Sequence, residues 1–110
     1  MSDRDPLNDT ELMAMAIIAN AGDAKSFAFQ ALDAAKKGDF TTCDQLMENA
    51  KACSKTAHES QNELLAREAR GESMDMNIIM VHAQDHMMSS MLAVELIEEM
   101  TNLYKIIMGV

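Results

Sequence analysis

The chain has 110 residues, and its 18 acidic side chains outnumber the 9 basic ones to give a formal net charge of -9. Duplex nucleic acid and anionic membranes bind clustered positive charge, which this sequence lacks, so both are excluded as main partners. No apolar run approaches the ~20 residues that span a bilayer, and the first residues lack the basic-then-apolar order of a signal peptide. The sequence therefore indicates a small cytoplasmic protein with a single domain.

The composition favours an all-α fold. One proline and four glycines interrupt the chain, and 12 methionines supply flexible apolar side chains that fill spaces between helices. The two cysteines, Cys43 and Cys53, form no metal-binding or disulfide pattern. They are therefore expected to be buried, reduced thiols.

The first long helix is predicted by a seam of small residues at alternating four- and three-residue steps, with a second apolar line beside it. The seam consists of Ala14, Ile17, Ala21, Ala24, Ala28, Ala31 and Ala35, and the second line of Met13, Ile18, Phe27, Phe29 and Leu32. Residues 1–8 are polar and predict a flexible N-terminal tail, after which Asp9 or Thr10 is expected to cap the helix. The helix is expected to continue to Lys37 and to end in a left-handed turn at Gly38.

Asp39 is placed to cap a second helix, which is expected from Phe40 to about Ala69 with one apolar stripe. That stripe consists of Phe40, Cys43, Met47, Ala50, Ala57 and Leu64. The short link that follows contains Gly71, Ser73 and Asp75. A third helix is expected from near Asn77 to about Ile107.

The third helix has more apolar positions than one bundle can cover. One seam consists of Ile79, Ala83, Ala93, Ile97, Met100, Tyr104 and Ile107, and a second of Val81, Met88, Leu92, Leu96 and Leu103. Three helices of roughly 42 to 46 Å each are too long for a compact globule. Residues 9–110 are therefore predicted to form a single domain, which is a rod-like antiparallel three-helix bundle. Monomers rarely expose a stripe as long as the second seam, which predicts a homo-oligomer with the third helix at its centre.

The segment Val81-His82-Ala83-Gln84-Asp85-His86 places ionisable side chains near the start of the third helix. His82 and His86 lie one turn apart on the same side, and Asp85 is three residues from His82. Spacing alone leaves three interpretations open: hydrogen-bonded structural histidines, a His-x-x-x-His zinc site completed by Asp85, and a nucleophilic histidine that carries a phosphoryl group. The unperturbed pKa of histidine is about 6.5, so much of the imidazole is neutral at physiological pH and its nitrogen lone pair can attack phosphorus.

Asp85 also lies in line with the second apolar seam. If that seam surrounds a rotation axis, copies of Asp85 converge, and their charges require protons or a cation between them. Oxygen ligands favour Mg²⁺ or Ca²⁺ over zinc, and protonated carboxyl groups bonded across the axis are the alternative.

Four blocks of the chain are characteristic together: 18–26, 34–40, Ala57-His58 with 68–72, and above all 81–86. In these blocks the sequence resembles the enzyme IIA component of the lactose/cellobiose/diacetylchitobiose type in the bacterial phosphoenolpyruvate-dependent sugar phosphotransferase system. The resemblance implies three-helix subunits that assemble as a homotrimer. It also implies a cytoplasmic phosphotransferase component that works through a phosphohistidine.

The resemblance further implies that the phosphocarrier HPr gives a phosphoryl group to His82, which passes it to a cysteine of enzyme IIB. This relay would serve uptake of a disaccharide through the membrane permease, enzyme IIC. Asp85 matches the family's metal-associated aspartate, for which Mg²⁺ at the subunit interface is the usual assignment. Supporting roles are expected for His86 and Gln84, and a structural role for His58. The alternative is a helical oligomerisation or adaptor module with a structural His-Asp-His metal site.

Overall fold

The computed structural model describes residues 9–72 and 76–110 and contains three long helices. Helix α1 spans Asp9–Lys36, α2 spans Phe40–Ala69 and α3 spans Ile78–Ile107. No strand occurs in the two described segments. The predicted all-α fold, an antiparallel three-helix bundle, is therefore confirmed.

The bundle is elongated, as predicted. Its radius of gyration is 17.2 Å, whereas a compact chain of this length has about 13 Å. None of the helices in the described segments is long and apolar enough to cross a membrane. The predicted tail at 1–8 and the link residues Ser73 and Asp75 lie outside the described residues.

The seam of small residues predicted for α1 is its buried face. Each member of the seam is at most 1% exposed, and Ala34 is buried beside them. Because alanine side chains are short, two other helices can approach the α1 backbone closely. Helix α1 packs extensively against both α2 and α3, while α2 and α3 contact each other much less. Helix α1 is therefore the central helix.

Two details of the α1 prediction were wrong. Asp9 and Thr10 lie inside the helix and do not precede it, because α1 already begins at Asp9. Phe29 is 48% exposed, although its neighbours in the predicted apolar line, Phe27 and Leu32, pack against the core. Two residues of helix separate Phe27 from Phe29 by about 200°, so both cannot face the same core.

Glycine and two capping side chains set the boundaries of the helices. Gly38 has φ 78° and ends α1, and the Asp39 carboxylate accepts a hydrogen bond of 3.2 Å from the Thr42 amide to cap α2. Hydrogen bonding to the side chain of Thr42, and secondarily to its amide, lowers the pKa of Asp39. Gly71, with φ 82°, follows α2, and the Asn77 side chain caps α3 by accepting from an amide 3.0 Å away. The predicted boundaries of α2 and α3 are confirmed.

The buried face of α3 differs from the prediction. The buried residues are Met80, Ala83, Met87, Ser90, Val94, Ile97 and Thr101, at regular three- and four-residue steps. Ile79, Met100 and Ile107 are 38%, 43% and 77% exposed, so their assignment to the inner seam was wrong. Apolar residues of α3 occur on most sides of the helix, and two of its buried residues, Ser90 and Thr101, are polar. The hydrophobic pattern therefore did not fix how the helix is rotated.

The predicted stripe on α2 is confirmed, except that Phe40 is only partly buried. Both cysteines are free, with Cys43 buried and Cys53 partly buried. Burial raises the pKa of each thiol, so both thiols stay protonated at neutral pH.

Among the described residues, one buried side-chain polar atom has no hydrogen-bond partner, the hydroxyl oxygen of Ser90. Ser90 is 1% exposed and lies on α3 between Met87 and Val94, which belong to two separate core clusters. Burying a hydroxyl without a hydrogen bond costs about 1–3 kcal/mol. The Ser90 side chain is therefore a local source of instability.

Replacing Ser90 with alanine should raise the free energy of unfolding by about 1 kcal/mol, because the unpaired hydroxyl is removed and alanine favours the helix. Urea unfolding followed by circular dichroism measures the change. The control is Ser89→Ala, because Ser89 is exposed and donates to the Asp85 carbonyl oxygen at 2.7 Å. The control should change stability by less than about 0.5 kcal/mol. Equal effects of the two substitutions would contradict the assignment.

Candidate functional site

The two histidines near the start of α3 form a stacked pair. His82 is the fifth residue of the helix and His86 follows one turn later. Their ring centroids are 5.7 Å apart, and the ring planes differ by 5°. His82 is exposed and His86 is partly buried. Because Asn77 fixes where α3 begins, the cap also sets the position of both imidazoles.

His86 is held against the central helix at a position where α1 has no side chain. A Cβ atom built on Gly22 would lie 3.4 Å from Nε2 of His86. The partly buried ring therefore packs beside the α1 backbone. The outer ring, on His82, is left facing solvent.

Gln84 faces a different helix. Its Oε1 accepts a hydrogen bond of 2.6 Å from Nε2 of Gln61 on α2, and its Nε2 lies 3.5 Å from Sδ of Met80. The structure therefore joins Gln84 to α2 and not to the histidine pair. Its expected supporting role stays a prediction.

Asp85 lies on the exposed side of α3. It lines an open groove of about 500 Å³ together with Met88, Ser89, Met91, Leu92 and Glu95. The Asp85 carboxylate forms no hydrogen bond or ion pair with any other side chain in the described segments. This unpaired carboxylate therefore projects from a largely apolar surface.

The described side chains of a single chain do not form a metal site. In residues 9–72 and 76–110, no group of three His, Cys, Asp or Glu side chains is arranged to hold a metal ion. The zinc interpretation, which required His82, Asp85 and His86 together, is therefore not supported by a single chain.

The stretch of α3 around the histidine pair carries no basic side chain. The ion pairs between α2 and α3 in the described segments join Lys51 to Glu98 and Lys105 to Asp44. Both lie well beyond His86 along α3. No lysine or arginine occurs within ten residues of His82 on either side. Within this stretch, charge on an anionic group at His82 is offset by the N-terminal end of the α3 dipole.

Sequence reasoning missed the roles of Gly22 and Gln61 in this region. Gln61 is 23 residues from Gln84, so their hydrogen bond left no local signal in the sequence. A signal for Gly22 was available, because a glycine in the middle of a helix costs about 1 kcal/mol relative to alanine. That cost points to a close contact, which the structure identifies as His86.

The arrangement provides an exposed nucleophilic nitrogen and a second imidazole held parallel to it. Such a pair can accept an electrophilic group on the outer ring and donate a hydrogen bond to that group from the inner ring. The pair lies on a helix surface and not in a deep cavity. This geometry suits transfer between proteins better than conversion of an enclosed small molecule.

Comparison with known proteins identifies the family. The model of the lactose/cellobiose-specific IIA subunit of the phosphotransferase system matches residues 12–105. The lactose-specific EIIA component of Staphylococcus epidermidis is 42% identical over 98 residues, covering 89% of this chain and 94% of the relative. The cellobiose-specific enzyme IIA of Bacillus anthracis has a TM-score of 0.90 and 38% identity, covering 94% of this chain and 95% of that structure.

A further solved structure was determined together with another protein. It is the IIA(Chitobiose)–HPr complex of the N,N'-diacetylchitobiose branch of the Escherichia coli phosphotransferase system. This chain matches it with a TM-score of 0.78 and 37% identity, covering 92% of this chain and 98% of that one. The sequence and the fold agree, and the chain belongs to the lactose/cellobiose-specific enzyme IIA family of the sugar phosphotransferase system.

Proposed function

We propose that this protein is a phosphocarrier that accepts a phosphoryl group from HPr on His82 and passes it to a cysteine of enzyme IIB. The observation that carries the proposal is the exposed His82 imidazole stacked on His86. The similar E. coli protein, solved in complex with HPr, supports HPr as the donor. The relay operates in the cytoplasm and serves uptake of a lactose-, cellobiose- or chitobiose-class sugar through enzyme IIC.

Each transfer exchanges one bond to phosphorus for another. In the first, an imidazole nitrogen of His82 attacks phosphorus with its lone pair, and the bond between phosphorus and HPr breaks with its electrons returning to HPr. In the second, a thiolate of enzyme IIB attacks, the S–P bond forms, and the N–P bond breaks to restore neutral His82. Such transfers depend mainly on presenting the two reacting atoms in line.

The surface around His82 suits docking of partner proteins. Ile78 and Ile79 lie one turn before His82 and are 85% and 38% exposed, so they provide apolar contact area. Met80, the next residue along the helix, is buried and belongs to the core. The net charge of -9, with no lysine or arginine within ten residues of His82 in the sequence, favours partners that bring positive charge.

Treatment with phosphorylated HPr should add one phosphoryl group that is labile in acid and stable in base, and the His82→Ala variant should stay unmodified. Intact-mass spectrometry detects the gain, and labelled phosphate then measures its passage to enzyme IIB. The matched control is His58→Ala, because His58 is an exposed histidine on α2. Loss of labelling in the control, or labelling of the His82 variant, would contradict the assignment. A helical adaptor module would show no labelling at all.

The protein is also proposed to work as a homotrimer built around α3. The second predicted seam, Val81, Met88, Leu92, Leu96 and Leu103, is 51–58% exposed in the single chain. An apolar stripe along most of a 30-residue helix is more than a monomer normally leaves in water. Three copies of α3 packed around a common axis would cover it, as the family resemblance implies.

Replacing Leu92 with glutamate should convert the trimer to monomers, because three buried charges would be brought together at the axis. Sedimentation equilibrium at micromolar concentration measures the mass. The Leu65→Glu control changes a leucine of similar exposure, 54%, on α2 and should leave the assembly intact. A wild-type mass of 12.1 kDa would rule out the trimer.

Asp85 is proposed to hold a divalent cation, with Mg²⁺ the expected one, at the subunit interface. Its carboxylate is unpaired among the described side chains, and it lies on the stripe that the trimer would bury. Carboxylate oxygens repeated by symmetry suit Mg²⁺, and the described residues of one chain contain no set of three metal ligands. When bound, the cation would neutralise carboxylates that otherwise repel one another.

The Asp85→Leu variant should remain trimeric and lose its bound metal, because leucine removes the ligand and suits the apolar stripe. Elemental analysis after dialysis against Mg²⁺ measures metal per trimer, and sedimentation checks the assembly. Glu59→Leu, which removes an exposed carboxylate from α2, is the control and should keep its metal. Metal content that is unchanged in the Asp85 variant would overturn the site.

A further inference from the structure

Gly22 occupies a position in α1 where the helix itself favours another residue. It lies inside a helix of 28 residues, far from either end, and its φ angle is not positive. Its backbone conformation therefore does not require glycine. Alanine would stabilise the helix there, because glycine is among the poorest helix formers. The reason for glycine must come from what lies next to it.

The neighbour of Gly22 is one nitrogen atom. Apart from the adjacent residues and the nearby backbone of α1 itself, a Cβ added at this position would have one neighbouring atom within 4 Å, Nε2 of His86 at 3.4 Å. The two ring carbons bonded to Nε2 lie farther from the Cβ position than Nε2 does, beyond 4 Å. The Cβ would therefore lie outward from the nitrogen, on the side where its hydrogen or lone pair points, and not over the face of the ring.

Steric displacement of the ring does not explain the glycine. A separation of 3.4 Å is at the short end of ordinary van der Waals contact, so an alanine methyl group would fit with little displacement of His86. What the methyl group would do is cover the polar edge of the ring. A donor covered by a methyl group loses access to a hydrogen-bond acceptor.

We infer that Gly22 is a positioning residue that keeps Nε2 of His86 open to an oxygen of the phosphoryl group carried on His82. The inference rests on the proposed function of His82. The parallel rings are 5.7 Å apart, so a group on the outer ring lies beside the inner one. A hydrogen bond from an imidazole to a charged phosphoryl oxygen is of the stronger kind. The missing side chain on α1 leaves room for that bond.

The Gly22→Ala variant tests this role. It should unfold at the same temperature as the wild type or higher, yet accept a phosphoryl group from HPr about tenfold more slowly, as expected for the loss of one hydrogen bond to a charged group. The comparison is repeated in a His86→Ala background, where Gly22→Ala should have no further effect. Additive losses, an unchanged transfer rate, or a lower unfolding temperature would each overturn the inference.

A chemical measurement tests the access itself. Diethyl pyrocarbonate acylates accessible imidazole nitrogens, and mass spectrometry of peptides gives the rate at each histidine. The rate at His86 should fall several-fold in Gly22→Ala, while the rate at His58, an exposed residue on α2, should not change. An equal rate at His86 in the two proteins, or no reaction of His86 in the wild type, would overturn the inference. If phospho-HPr fails to label the wild type, the proposed function is wrong. The acylation rates still decide whether Gly22 leaves Nε2 of His86 accessible.

Discussion

Close packing of α1 against both neighbouring helices is the contact on which the rest of the structure depends. The buried face of α1 is made almost entirely of alanine, with Ile17 the one large side chain. Small side chains allow α2 and α3 to approach from two sides without requiring much contact with each other. The same closeness brings the α1 backbone to the edge of His86. One physical property, the shortness of the α1 side chains, therefore determines both the arrangement of the helices and the environment of the site.

The parts of the fold that could be predicted from the sequence are those set by local chemistry. Gly38 and Asp39 mark a turn because one permits a left-handed backbone and the other caps free amides, and both act as expected. The buried face of α1 could also be predicted, since the small residues of its seam differ from their neighbours. The rotation of α3 about its axis could not be predicted, because exposed Ile79 and buried Met80 are both apolar. Only the packing against α1 distinguishes them.

The candidate site shows a similar division. His82 and His86 were expected to share a helix face, and the structure places their rings in parallel contact. Spacing on one helix determined that result. The partners supplied by other helices, Gln61 for Gln84 and Gly22 for His86, depend on how α3 is seated and were not predicted. The family resemblance assigned roles to single residues but gave no information about these contacts between helices.

The three faces of α3 leave this helix little evolutionary freedom. One face is committed to the core from Met80 to Thr101, a second carries the histidine pair, and a third presents the apolar stripe with Asp85. Helix α2 is different, because only five of its 30 residues are buried. Neutral sequence drift should therefore accumulate on the outer side of α2.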